Sequence, residues 1–185
     1  MNGGKTGMLY VLNRANLGHE HQGNTQIVQA LQATTGCSGT GSTSCAEIHG
    51  TSYWARSNAP SLVYVWGSND MLRSFSQAPN GTFSPFATNP TVSNYPGGIM
   101  SVSANGNNNG VLWATTSIEN AAGGPVPGTL RALNAVTLQE LWNSDTRSGD
   151  TLGTLSKYCM PMVANGKVYM STFSGRLDVY GLRAP

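Results

Sequence analysis

Short apolar runs recur along the chain, and stretches rich in Gly, Ser, Thr and Asn separate them. The longest run, Leu62-Val-Tyr-Val-Trp66, has the length and residue types of a buried strand. Gly and Asn in the separating stretches tolerate the positive φ angles of tight hairpin turns. Charged residues make up only 10% of the chain, which is too few to cover the outer faces of long helices. The pattern therefore predicts an all-β fold.

One pattern repeats along the chain, a Leu followed three residues later by a large apolar residue. Its four copies begin at Leu9, Leu72, Leu130 and Leu177, and the last two steps are 58 and 47 residues long. An apolar segment precedes each of the last three copies, and Asn-Gly at 105–106 and 165–166 is a strong hairpin signal. Steps of this length are typical of β-propeller blades with long loops. Each unit is therefore predicted to be a four-stranded antiparallel meander.

The repeat predicts a single domain over 1–185, with two complete blades and two partial ones. The expected boundaries are 1–35, 46–90, 97–145 and 157–182. In the best copy, we expect strands at 99–104, 111–116, 129–134 and 138–143. The first unit has strands at 8–13 and 26–32, although the second of these also fits one face of a short helix. Because a blade depends on its neighbours, and propellers close with about 4–8 blades, we expect missing upstream blades or a second chain to complete the array.

The charges favour some partners and exclude others. The chain has ten Lys and Arg and eight Asp and Glu. The basic residues are dispersed and form no run, so a nucleic-acid partner is not expected. No apolar stretch approaches the ~18 residues that a membrane-spanning helix needs. A protein or a polysaccharide is the expected partner. No apolar segment follows Met1 that could be a signal peptide, so any export signal would lie in a lost upstream part.

The three cysteines differ in their surroundings. Cys37 and Cys45 bracket a loop of Gly, Ser and Thr, where a disulfide would pin the loop and stabilise the fold by roughly 2–3 kcal/mol. Two free thiols are the main alternative. A zinc pair fits less well, because the spacing is wide and the chain has no second pair. Cys159 lies in an apolar context that predicts a small core residue.

The segment from Gly128 to Trp142 resembles the repeat of pyrroloquinoline-quinone-type propellers, in which a strand, a short turn and then Leu-Trp follow one another. The tail from Pro161 to Leu182 is similar to the closing blade of the same group, and the resemblance extends from about Gly7 to Leu182. It implies that Trp142 is the docking tryptophan that packs between adjacent blades. It also implies an extracytoplasmic protein, secreted or periplasmic.

The chain departs from that family at several points. The usual Asp and Thr-Gly of the turn before the outer strand appear here as Asn134 and Thr137-Leu138. The quinone enzymes carry a disulfide between adjacent cysteines over the cofactor and a cluster of calcium-binding acids. This chain has no Cys-Cys pair, and its eight acids are widely dispersed. The departures favour a non-catalytic protein without a cofactor or a metal.

The best ligand candidate is His49, which is expected to begin an inner strand over 48–51, lining the propeller channel. Gly50 beside it would let a ligand or another backbone approach closely. The competing interpretation is a polar channel histidine that bonds to a neighbouring blade.

Other polar groups favour plainer interpretations. Asp70 with Arg73, and Arg176 with Asp178, are expected to be surface polar groups, since no paired carboxylate accompanies them. The segment His19-Glu20-His21 is expected to be a solvated loop.

Two functional hypotheses follow. The first is a non-catalytic extracytoplasmic propeller that serves as a binding or scaffold module and presents its loops to a protein or a polysaccharide. The second, alternative hypothesis is that the chain is the C-terminal part of a dehydrogenase that uses pyrroloquinoline quinone with calcium. Tryptophans would then form the floor of the cofactor site. The sequence favours the first, because it shows no catalytic cluster.

Overall fold

The computed structural model describes residues 1–17, 19, 23, 26–37 and 45–182, and these residues form four antiparallel β-sheets. Within this part of the chain there is no α-helix, only two single-turn 3-10 helices, Ser144–Thr146 and Ser148–Asp150. The predicted all-β fold is therefore confirmed. No helix in the described segments is long and apolar enough to cross a membrane.

The second and third sheets each contain four strands, joined as simple meanders in chain order. The second sheet consists of β4 (Thr51–Trp54), β5 (Leu62–Trp66), β6 (Asp70–Gln77) and β7 (Phe83–Ser93). The third sheet consists of β8 (Ile99–Asn105), β9 (Asn108–Thr116), β10 (Thr129–Asn134) and β11 (Glu140–Asn143). Every neighbouring pair is antiparallel.

The first and fourth sheets contain three strands each, again in chain order. The first consists of β1 (Asn2–Gly3), β2 (Met8–Leu12) and β3 (Ile27–Gln32). The fourth consists of β12 (Met162–Ala164), β13 (Lys167–Ser171) and β14 (Leu177–Gly181). The segment that also fitted a helical face is thus a strand, β3, and β1 is a strand that the repeat did not predict.

Several strand bounds differ from the predicted ones. The second sheet begins at Thr51, so His49 lies in the segment before the strand and not inside it. The first strand of the fourth sheet begins at Met162, so Cys159 also precedes its strand. β11 begins at Glu140 because the turn before it places Leu138 at a φ of 60°, which a strand does not allow.

The Asn-Gly hairpins lie where the sequence placed them. Asn165 and Gly166 join β12 to β13 with φ angles of 50° and 70°. Positive φ at both central residues defines the type I′ turn, which Asn and Gly adopt with little strain. In the hairpin between β8 and β9, Asn105 is the last residue of β8 and pairs with Asn108, and Gly106 begins the turn with a φ of 59°. The glycine of each Asn-Gly pair thus supplies a positive φ to its hairpin.

Three apolar clusters fill the spaces between consecutive sheets. The cluster between the first and second sheets contains Leu9, Val11, Ala33, Ile48, Val63, Val65, Phe75 and Phe83. The cluster between the second and third contains Trp54, Leu62, Tyr64, Trp66, Leu72, Met100, Leu112, Ala114, Leu133, Ala135 and Leu138. The cluster between the third and fourth contains Leu130, Leu152, Val168 and Met170, flanked by Trp113, Trp142 and Tyr180. Most of the core is thus divided among three junctions, so each sheet depends on its neighbours for burial, and a fourth, smaller cluster contains Ala121, Val126 and Leu155 from outside the strands.

Asp70 is not the surface group that the sequence predicted. Its side chain is buried, with only 3% of its surface exposed, and it pairs with Arg73. One carboxylate oxygen accepts a hydrogen bond of 2.8 Å from the backbone N–H of Thr35, which follows the first sheet. The prediction was wrong because Asp70 contacts Thr35, which lies 35 residues earlier in the chain, and no local pattern indicates this contact. Arg176 and Asp178, by contrast, form a pair at 3.1 Å in which the arginine is largely exposed.

Candidate functional site

The segments that lead into the first strands of the second, third and fourth sheets converge on His49. Tyr95 precedes β8, and its ring centroid lies 5.1 Å from that of His49, nearly edge to face. Tyr158 precedes β12, and its centroid lies 5.4 Å from the same imidazole. Glu47, in the same segment as His49, places its Oε2 atom 3.0 Å from His49 Nε2. We call Glu47, His49, Tyr95 and Tyr158 the tyrosine–histidine cluster.

The two phenol groups of the cluster are bonded to each other. The hydroxyls of Tyr95 and Tyr158 lie 2.6 Å apart, within hydrogen-bond distance. This bond, with some burial and the nearby Glu47 carboxylate, raises the pKa of Tyr158 to about 12. Tyr158 is therefore neutral at physiological pH, and its hydroxyl can donate or accept a hydrogen bond.

His49 retains unused hydrogen-bonding capacity. Its Nε2 atom is buried and makes no hydrogen bond, although the Glu47 Oε2 atom lies 3.0 Å away. Buried polar atoms normally have partners, and exceptions in folded proteins are few. The cluster is therefore incompletely satisfied in this structure.

The backbone around the tyrosines is held in a defined conformation. Lys157 Nζ donates a hydrogen bond of 2.8 Å to the carbonyl of Ala121, and the Ala121 N–H donates to the carbonyl of Tyr95 at 3.2 Å. Ala121 thus links the segments that carry the two tyrosines. Tyr158 has a φ of 66°, in the left-handed region that bulky residues rarely adopt. Strain of this kind persists where surrounding contacts impose it and is concentrated at functional sites.

A disulfide lies immediately before the Glu47–His49 segment. Cys37 and Cys45 are bonded, with their Cα atoms 4.0 Å apart, and the Ala46 N–H donates to the Gly36 carbonyl at 2.8 Å. The bond fixes one end of the segment that carries two members of the cluster. Gly50, on the other side of His49, has room for a side chain, since an added Cβ would lie 3.9 Å from Ile99 Cδ1. The protein's own packing therefore does not require glycine there.

Exposure within the cluster is uneven. Tyr158 is 51% exposed, whereas the side chains of Glu47 and His49 are 21% and 18% exposed. The surface that a ligand meets is therefore an aromatic ring, backed by hydroxyl, carboxylate and imidazole groups. An aromatic face with a few fixed polar groups is an arrangement suited to binding and orientation.

Trp142 lies at the junction of the third and fourth sheets. Its ring centroid is 5.6 Å from that of Tyr180, with an angle of 62° between the planes. Both rings line a cavity of about 800 Å³ whose walls also include Trp113, Val168 and Val179. Arg147 and Lys167 also line it. None of the lining residues of this cavity belongs to the tyrosine–histidine cluster.

The calcium-dependent quinone site of the alternative hypothesis stays a prediction. In the described ranges, no three His, Cys, Asp or Glu side chains lie close enough together to hold a metal ion. Trp54 and Trp66 are buried between sheets, whereas Trp113 and Trp142 line the cavity described above. The segment His19-Glu20-His21 lies largely outside the described residues, with only His19 among them.

Sequence reasoning singled out His49 but not its neighbours in the cluster. Glu47, Tyr95 and Tyr158 come from segments far apart in the chain, and nothing local marks them as neighbours. One signal was present: Tyr95 and Tyr158 each stand four residues before the first strand of a sheet, at β8 and β12. Aligning the units on their first strands brings these positions together.

Comparison with known proteins adds no assignment to this geometry. The chain matches no family model, no curated protein and no solved structure.

Proposed function

We propose that this chain is a non-catalytic, extracytoplasmic binding module of the β-propeller type, and that it binds a polysaccharide at the tyrosine–histidine cluster. The observation that carries the proposal is the convergence of three strand-preceding segments on His49. In a propeller, such segments emerge around the central axis at one end, where ligands commonly bind. The fold alone assigns no activity, so the proposed function depends on the residues of the site.

The arrangement of the sheets supports the propeller. In succession, β4 contacts β8 and β8 contacts β12, so the first strands of three consecutive sheets are neighbours. Neighbouring first strands, with apolar clusters between the sheets, are what blades around an axis are expected to show, and they support the proposal. On this proposal, each of the four sheets is a blade, complete in two cases and partial in two.

The chemistry of the cluster favours a neutral, hydroxyl-rich ligand. The exposed Tyr158 ring offers an apolar face for stacking, and the adjacent hydroxyl and carboxylate groups offer hydrogen bonds at its edge. A sugar ring has the matching pattern of one apolar face and an equatorial belt of hydroxyls. The Cys37–Cys45 disulfide supports an oxidising, extracytoplasmic location, where such polymers occur.

The experiment is electrophoresis in native gels cast with soluble neutral polysaccharides: a β-glucan, a xylan and a galactomannan. We expect at least one polymer to retard the wild-type chain, and Tyr158→Ala to weaken binding about tenfold, through loss of the stacking face. The matched control is Tyr53→Ala, since Tyr53 is 44% exposed but bonds Gln77 and belongs to no part of the cluster. If the polymers retard both variants equally, or do not retard the wild-type chain, the proposal is refuted.

A further inference from the structure

The tyrosine–histidine cluster brings together four side chains that can ligate a metal ion. Tyr95 and Tyr158 supply two phenol oxygens, which lie 2.6 Å apart. Glu47 supplies a carboxylate oxygen, Oε2, which lies 3.0 Å from the imidazole Nε2 of His49. The imidazole ring lies against both tyrosine rings, at centroid distances of 5.1 and 5.4 Å. Within the described residues, His, Cys, Asp and Glu alone form no metal-binding group, so the phenols complete this donor set.

The spacing within each pair of donor atoms matches that of neighbouring ligands on a metal ion. Metal–ligand bonds of ~2.0–2.1 Å, at right angles to each other, place the two ligand atoms roughly 3 Å apart. The phenol oxygens, at 2.6 Å, and the carboxylate and imidazole atoms, at 3.0 Å, are both near this separation. Each pair is therefore spaced to occupy adjacent positions on a cation.

His49 Nε2 is the donor atom that the protein's own contacts leave unsatisfied. It is buried and makes no hydrogen bond, although a carboxylate oxygen lies 3.0 Å away. Buried polar atoms without a partner are few in folded proteins, and an ion is one of the partners that explain them. A cation bound by both atoms would satisfy the nitrogen lone pair and the carboxylate together.

The chemistry of the donors favours ferric iron. Oxygen donors select hard cations, imidazole is a common ligand of iron, and tyrosine oxygen also ligates iron in proteins. A phenol keeps its proton until about pH 10, so at neutral pH only a strongly polarising cation displaces that proton. Ca²⁺ and Mg²⁺ instead bind carboxylates, carbonyls and water. Two phenolates and one carboxylate carry three negative charges, which balance the charge of Fe³⁺.

Two features around the cluster also favour a hard, oxidised metal ion. Cys159 follows Tyr158 in the chain, but it packs in the cluster between the third and fourth sheets, and its Sγ lies 3.2 Å from Ser156 Oγ. The Cys37–Cys45 disulfide supports an oxidising location, where iron is in the ferric state. The dispersed acids of the sequence predict no metal, and the ferric site departs from that prediction because half of its ligands are phenols.

We propose that the tyrosine–histidine cluster binds one ferric ion through two phenolate oxygens, one carboxylate oxygen and the His49 imidazole. Binding releases the two phenol protons to solvent and replaces the hydrogen bond between the two hydroxyls. The oxidation state of the iron does not change. The ferric site depends on neither the propeller arrangement nor the polysaccharide.

The test adds ferric nitrilotriacetate to the purified chain at neutral pH, removes the excess by desalting, and measures bound iron and the visible spectrum. We expect one iron per chain and a visible charge-transfer band from phenolate to iron, which ferric nitrilotriacetate alone lacks. Tyr158→Phe removes one phenolate, so we expect it to lose at least half of the band and to bind iron at least tenfold more weakly. Tyr53→Phe is the matched control, since the Tyr53 hydroxyl bonds Gln77 outside the cluster, and it should match wild type.

Glu47→Gln tests the balance of charge. It keeps both phenolates, so the band should persist at saturation while iron binds at least tenfold more weakly. Far-ultraviolet circular dichroism of the iron-free variants checks that each is folded. A wild type without the band, an equal band in Tyr158→Phe, unchanged affinity in Glu47→Gln, or displacement of the iron by equimolar Zn²⁺ would overturn the proposal. The assay contains no polysaccharide and the native gels contain no iron, so the two proposals fail separately.

Discussion

Leu138 shows how a single residue balances strain against burial. It has a φ of 60°, in the left-handed region that favours glycine. Its side chain is nevertheless fully buried in the cluster between the second and third sheets. Left-handed backbone costs a leucine roughly 1–2 kcal/mol, whereas burying the side chain stabilises by roughly 2–5 kcal/mol, so burial prevails.

Two substitutions at Leu138 separate these effects. Leu138→Ala loses the buried side chain and keeps the strain, so we expect it to lower the free energy of unfolding by about 3 kcal/mol. Leu138→Gly loses the same side chain but relieves the strain, so we expect a smaller loss of about 2 kcal/mol. Urea denaturation measures both. A glycine variant less stable than the alanine variant would show that the backbone is not strained at this position.

The residues that sequence could predict are those whose environment is local. Asn165 and Gly166 lie in a hairpin turn because their own φ preferences specify one. Asp70 and the tyrosine–histidine cluster could not be predicted in the same way. Asp70 is buried by a segment that follows β3, and Tyr158 meets His49 from a different sheet. Contacts of this kind depend on how the sheets are placed, which no local pattern encodes.

At the scale of whole elements, the repeat predicted the strands well because its two apolar positions, three residues apart, lie on opposite faces of a strand and are both buried where a sheet covers each face. β10, for example, spans the expected residues, Thr129–Asn134. β1 was missed because its two residues carry no apolar pattern. Strand ends were less predictable where a turn residue interrupts the run, as Leu138 does before β11.

Asp70 links the second sheet to the segment that follows the first sheet. It stands at the start of β6 and accepts hydrogen bonds from the N–H of Thr35 and from the N–H of Met71, at 2.8 Å each. It also pairs with Arg73. The carboxylate therefore connects the first sheet to the second by polar contacts beside their apolar cluster.

We expect Asp70→Asn to lower the free energy of unfolding by about 2–3 kcal/mol, because the charge-assisted bonds are lost in a buried setting. The control is Asp178→Asn, where the partner Arg176 is 55% exposed, and a change below about 1 kcal/mol is expected. Both are measured by urea denaturation at neutral pH. Equal effects of the two substitutions would contradict a structural role for the buried carboxylate.

For the molecule as a whole, three tyrosines make stability depend on alkaline pH. Burial raises the pKa of Tyr64, whose hydroxyl bonds the Ala135 carbonyl across two sheets. Burial raises the pKa of Tyr180 to about 12, and the bond to Tyr95 raises that of Tyr158 to about 12. In the unfolded chain all three ionise near pH 10. Between pH 10 and 12 the folded state therefore binds more protons, and stability falls as pH rises.

Urea midpoints at pH 9 and pH 11 measure this dependence. We expect a lower midpoint at pH 11, and a smaller difference between the two pH values in Tyr180→Phe, since phenylalanine has no proton to lose. An identical pH response in that variant would exclude Tyr180 as a source of the effect.

The placement of the tryptophans among the clusters between sheets has a consequence for spectroscopy. Trp54 and Trp66 belong to the cluster between the second and third sheets, and Trp113 and Trp142 flank the next one. No tryptophan occurs before residue 54, so the cluster that holds the first sheet contains no indole. Detachment of the first sheet therefore uncovers no indole ring, and it reaches Trp66 only through Asp70, whose carbonyl accepts the indole N–H at 3.0 Å. Amide exchange along β2 and β3 is the direct observable of that detachment.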